Sequence, residues 1–138
     1  MAALKSDGSV TAWGYDPYGG SDPGLQNVKS IYSTQYAFAA LKNDGTVATW
    51  RSDNQNGGNS DAVSLLLNNV VSIYSTTRAF AALKSDGTVV TWGNDGYGAD
   101  SSSVSEDLNN VVSIYATDSA FAALKSATRL TLYSLNFN

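Results

Sequence analysis

The alternation of apolar and polar residues writes one short pattern several times along the chain. In its clearest copy, VVSIYS (70–75) is rich in β-branched and aromatic residues, AFAALK (79–84) is apolar at nearly every position, and TVVTW (88–92) is again β-branched up to a Trp. Short runs of this kind between turn residues predict three strands. Within AFAALK, Phe80 and Ala82 share one face of a strand while Ala79, Ala81 and Leu83 share the other, so neither face is polar. That predicts a middle strand packed between neighbouring layers. A helix through the same six residues would be too short to stand alone. Asp86-Gly87 joins the second run to the third, as Asp7-Gly8 and Asp44-Gly45 do in other copies. Asp-Gly between alternating runs predicts hairpins with type I′ turns. Lys5, Lys42, Lys84 and Lys125 stand beside the turns, where they are expected to face water and discourage edge pairing.

The repetition fixes the organisation. ALKSDGSVTAWG (3–14), ALKNDGTVATWR (40–51) and ALKSDGTVVTWG (82–93) are near copies, and ALKSATRLTLYS (123–134) is a worn one. Leu4, Leu41, Leu83 and Leu124 are separated by 37, 42 and 41 residues, a unit of about 41, with the length variation lying after the Trp. The chain reads as one all-β repeat domain, 1–138, with units at about 27–68, 69–109 and 110–138 and an N-terminal hairpin at 1–26. The expected architecture is three tandem antiparallel β-sheet repeats around a pseudo-threefold axis, propeller- or prism-like. In it the N-terminal hairpin and the C-terminal strands share one sheet and close the ring within one chain. The alternatives are a partial propeller closed by homo-oligomerisation, as in a homodimer, and a piece of a longer array. Trp13, Trp50 and Trp92 are expected as core plugs between adjacent sheets. LLL (65–67) and DLNN (107–110) are each expected to form a helical turn covering a sheet edge.

Composition removes several kinds of chemistry. The chain has neither Cys nor His, which excludes disulfides, thiolate nucleophiles, imidazole bases and Cys or His metal sites. Eight basic and twelve acidic residues are scattered singly and sum to −4, so no basic patch is available to track phosphates and no nucleic-acid partner is expected. No run approaches the roughly 18 apolar residues of a membrane helix, and no signal-type N-terminus is visible, so no membrane partner is expected. With a single glutamate, Glu106, in a loop, an enzyme is not expected: no catalytic residue, metal site or cofactor is assigned.

At this point the stretch NVVSIYSTTRAFAALKSDGTVVTWGNDGYG (69–98) resembles a repeat of the regulator-of-chromosome-condensation family, especially its bacterial relatives. The resemblance rests on Val70, Ile73, Ala82, Leu83, Asp86, Gly87, Val89, Trp92, Gly93 and Gly98. It implies β-propeller blades and, through the bacterial members, a bacterial protein. The chain departs from the family pattern at STQYAF, STTRAF and ATDSAF, where a Gly-x-x-His is usual, and lacks the GQLG segment. The exchange-factor activity of some eukaryotic members is not carried over, because no loop here matches theirs.

Functional chemistry is expected in the segments that vary between copies: 14–26, 51–67 and 93–108. They follow equivalent strands and so should emerge at one edge. Asp16, Asp53 and Asp95 each stand three residues past a Trp, with Tyr18 and Tyr97 also matched. Carboxylates and amides beside a Tyr suit sugar hydroxyls or a hard cation, although Asp and Asn at such places commonly cap their own turns. None of the segments has the spacing of a calcium loop. The expected function is a non-catalytic repeat or interaction module, protein-binding or structural. The alternative is a lectin-like domain binding a glycan through Asp16, Tyr18, Asp53, Asp95 and Tyr97.

Overall fold

The computed structural model describes residues 1–18, 20–50 and 55–126. They form an all-β chain of four small antiparallel sheets arranged in chain order. The first is the hairpin β1 (Ala2–Leu4) and β2 (Val10–Ala12); the second is β3 (Val28–Ser33), β4 (Phe38–Lys42) and β5 (Val47–Trp50). The third is β6 (Val70–Ser75), β7 (Ala79–Lys84) and β8 (Val89–Gly93), and the fourth is β9 (Val111–Ala116) with β10 (Phe121–Lys125). The three strands read in the clearest copy thus fall where the alternation put them.

Each sheet packs face to face on the next. Ala39 and Leu41 of β4, on one side, meet Ile73, Phe80, Ala82, Val90 and Trp92 of the third sheet on the other. The third sheet turns Ala81 and Leu83 toward Val111, Ile114 and Phe121 of the fourth. The hairpin turns Val10 toward Val28, Ile31, Ala40 and Trp50. The middle strand β7 is therefore covered on both faces, which is why alanine suits it: two layers close on it and leave little depth for larger side chains.

Backbone bonds join the units at both ends of the sheets. Val28 N–H donates to the Gly8 carbonyl, Val70 to Gly45 and Val111 to Gly87, each at 2.9 Å. To reach those bonds the chain passes through left-handed Asn27, Asn69 and Asn110, at φ 59°, 54° and 53°; Asn tolerates that region better than most residues. At the opposite end Gln35 N–H donates to the Thr77 carbonyl at 3.0 Å and Thr77 N–H to Asp118 at 2.9 Å.

Several expectations are corrected. The Asp-Gly hairpins form, but not with type I′ turns: Gly8, Gly45 and Gly87 have φ near +84° while Asp7, Asp44 and Asp86 do not have positive φ. Gly8 N–H donates to Lys5 and Lys5 N–H to Ser9, giving a three-residue loop with glycine at its left-handed position. Among the described residues, the hairpin β1–β2 and the pair β9–β10 are separate two-stranded sheets and share no strand. The reason is that β10 already occupies the place beside β9 that the hairpin would need. The worn strand pattern at 130–134 lies outside the described residues. The helical turns form slightly earlier than expected, as 3-10 turns at Asp61–Leu66 and Ser102–Asp107. Leu67 and Leu108, just after them, are the residues that enter the core. Trp92 is a core plug at 5% exposure, its Nε1 donating to the Gly57 carbonyl at 3.0 Å, whereas Trp13, with no sheet packed behind it among the described residues, is 50% exposed.

Candidate functional site

Strand pairing sorts the chemistry to two ends. Phe38 lies opposite Trp50, and Phe80 opposite Trp92. The short loops 34–37 and 76–78 therefore emerge at the same end as the variable segments, and the Asp-Gly turns lie at the other. At that other end Asp7, Asp44 and Asp86 have their carboxyls held below the ordinary value of 3.8. The main cause is a short bond from the hydroxyl of Ser9, Thr46 or Thr88, at 2.6 Å, seconded by the same residue's backbone N–H. These carboxylates are turn caps.

At the loop end, Asp16 and Tyr18 form a 3-10 turn, and Asp95 and Tyr97 form its counterpart. Asp53 lies outside the described residues. The second turn is anchored from both sides. Asn94 Oδ1 accepts from Gly96 N–H at 2.9 Å, and the Tyr97 carbonyl accepts from the buried Thr76 hydroxyl at 2.8 Å. Thr34 repeats that anchor one unit earlier by donating to the Asn56 carbonyl at 2.9 Å. Asp16 and Asp95 are both exposed. Asp100, in the same segment as Asp95, has its carboxyl lowered chiefly by the Ser102 hydroxyl at 2.6 Å, again a turn cap.

The tyrosines are brought together, through two residues that sequence reading did not single out. Tyr15 stands edge-on to Tyr18 at 5.0 Å between ring centroids, and Tyr18 stands edge-on to Tyr36 at 4.8 Å. The Arg78 guanidinium then lies between two rings, 5.2 Å from the centroid of Tyr36 and 5.4 Å from that of Tyr97. Its Nε has no hydrogen-bond acceptor among the described residues. The result is a row of side chains, Tyr15, Tyr18, Tyr36, Arg78 and Tyr97, drawn from three successive units. Tyr15 and Tyr18 are exposed and the rest half-buried. The signal that could have found Tyr36 and Arg78 is internal: STQYAF, STTRAF and ATDSAF repeat around one position that changes from Tyr36 to Arg78 to Ser119. Beside the row runs a shallow hydroxyl-rich groove lined by Ser33, Thr34, Ser75, Thr76 and Thr117 and ending at Asp118, about 380 Å³ in volume.

Chemically this arrangement offers aromatic faces and a half-buried cation. Among the described residues no three acidic side chains converge as a metal site would require. No protein-family model matches the chain, and no curated protein matches it.

Proposed function

We propose that the chain is a non-catalytic interaction module that binds a protein partner through the loop end, with Arg78 and the tyrosine row as its centre. The observation that carries this is the guanidinium held between Tyr36 and Tyr97, next to exposed Tyr15 and Tyr18. Tyr and Arg are the residues that concentrate binding energy at protein interfaces, because they offer large rigid surfaces with a polar group at the tip. Here ring contacts already fix their geometry, so little side-chain entropy is lost on binding.

The four sheets are read as successive blades of a propeller-like array, as the resemblance to the regulator-of-chromosome-condensation repeats implies. In support, the first strands β3, β6 and β9 of successive sheets are neighbours, the middle strands β4 and β7 each neighbour the first strand of the next sheet, and β8 has the turn 61–66 beside it. The bacterial origin implied by the same resemblance belongs to this reading too.

The test is to pan a displayed peptide library against the folded chain and, in parallel, to probe a glycan array. Peptide binding that is lost in Arg78→Ala and Tyr18→Ala but kept in Asp95→Ala supports the proposal. Selective sugar binding lost in Asp95→Ala would replace it with the lectin reading. That reading is less favoured because the Asn94 side chain is already engaged with Gly96 and, at 3.2 Å, with Gln55.

A further inference from the structure

The joint between the second and third sheets shows the two faces by which the units meet. The face turned toward the next unit carries an Ala and a Leu of the middle strand with a Tyr across from the Ala: Ala39, Leu41 and Tyr32 in the second sheet, Ala81, Leu83 and Tyr74 in the third. The face turned toward the preceding unit carries a Phe–Trp cross-strand pair and a small pair beside it. In the second sheet these are Phe38–Trp50, stacked at 4.9 Å, and Ala40–Ala48; in the third they are Phe80–Trp92, at 5.3 Å, and Ala82–Val90.

Among the described residues, the two outermost sheets each present one of these faces without a cover. On the fourth sheet, Ala122 lies across from Tyr115, with Leu124 two residues on; all three are exposed. On the hairpin, Met1 and Trp13 exchange backbone bonds across the sheet at 2.9 Å, and Ala3 lies across from Thr11. Met1 and Trp13 thus hold the places of Phe80 and Trp92, and both are exposed.

We infer that this chain associates head to tail with a second copy of itself, the Met1–Trp13 face of one copy seating on the Tyr115–Leu124 face of the other. The occupant is argued from the chain's own joints: the two free faces keep the pairing and alternation of the two faces that meet between the second and third sheets, with Met1 in the place of Phe80 and Thr11 in that of Val90. Such a contact is heterologous, and two copies of four sheets are enough to use both free faces of each. It uses sheet faces, whereas the partner reading uses Arg78 and the loop tyrosines, so each is tested by its own substitutions.

The experiment is light scattering on the unmodified chain and on two variants, Trp13→Asp and Leu124→Asp, with circular dichroism confirming the fold of each. The expected result is a mass of twice 14.5 kDa or a longer array for the unmodified chain, and 14.5 kDa for either variant alone. Mixing the two variants should restore a dimer, because each retains the face that the other has lost. A monomer at all concentrations overturns the inference, including the case where residues 127–138 cover the fourth sheet of their own chain. An assembly indifferent to both substitutions, or one that mixing does not restore, overturns it as well.

Discussion

Three of the four marker leucines provide a test of where the stability resides. Leu41, Leu83 and Leu124 share the sequence Ala-Ala before and Lys after, and each is the last residue but one of its strand. Their surroundings differ. Leu41 and Leu83 are 2% and 6% exposed, each closed in by the following sheet, whereas Leu124 is 51% exposed. Truncating an enclosed Leu removes its transfer free energy and leaves a cavity, about 2–5 kcal/mol together. At Leu124 about half of a transfer term of roughly 1.5–3 kcal/mol is present and no enclosed void is made, which leaves about 1 kcal/mol. We expect Leu41→Ala and Leu83→Ala to cost about 3 kcal/mol and Leu124→Ala about 1 kcal/mol. The assay is urea unfolding followed by circular dichroism at the lowest workable protein concentration, where copies are apart. The midpoint should shift and the slope should stay constant. A Leu124→Ala loss equal to that of Leu83→Ala under those conditions would refute the reasoning, since it would mean that the outer face of the last sheet is covered within the single chain.

Three further outcomes follow from local geometry. Asp7, Asp44, Asp86 and Asp100 have folded-state pKa values below 3.8, so their contribution is complete above the ordinary value and is lost as pH falls through the lower folded values. Tm should therefore fall on acidification below about pH 4, and Asp44→Asn together with Asp86→Asn should flatten that limb; an acid limb unchanged in the double variant would refute the turn-cap reading. Gly57 has φ +89°, and a Cβ there would stand 2.7 Å from Phe80 Cδ2, so Gly57→Ala should cost well over the roughly 1–2 kcal/mol of left-handed strain alone. Gly24→Ala, at φ +66° with nothing within 4 Å, should cost only that strain, and thermal unfolding of the pair measures the difference. In single-Trp variants, at protein concentrations low enough to keep copies apart, iodide should quench Trp13 most, Trp50 less and Trp92 least, following their exposure.

What the alternation made legible was the middle of the array. The bounds of β6 and β7 match the sequence reading because apolar residues on both faces of AFAALK have one economical solution, a strand between two layers. Turn chemistry was legible only in part. Asp-Gly marks a hairpin, but Lys, Ser and Asp together also fit a longer loop in which only Gly needs positive φ, and the Asp carboxylate then caps the following Ser or Thr. The bulge that turns Val71 and Val112 outward was not legible at all, because VVS alternates no better in register than out of it. Nor could equal sequence reveal unequal burial: Trp13 and Trp92 occupy the same place in their units, and only the presence of a preceding sheet separates an exposed indole from a buried one.

The candidate site escaped for a related reason. A search for chemistry at matching offsets favours residues that recur, and it selected Asp16, Asp53 and Asp95, of which the two described ones are solvated ends of tight turns. In an array held together by repeated packing, positions that must recur are those that touch the neighbouring unit. A position free to change is one that packing does not dictate, and position 36, its counterpart 78 and its counterpart 119 change completely. Arg78 needs a ring from the preceding unit, Tyr36, and a ring from its own loop, Tyr97, so no single unit contains the cluster. Arg78→Ser, which gives position 78 the residue that its counterpart 119 already carries, should therefore leave the fold intact, since the loop's anchors are Thr34 and Thr76, while the row loses its cation and any binding centred on it is lost.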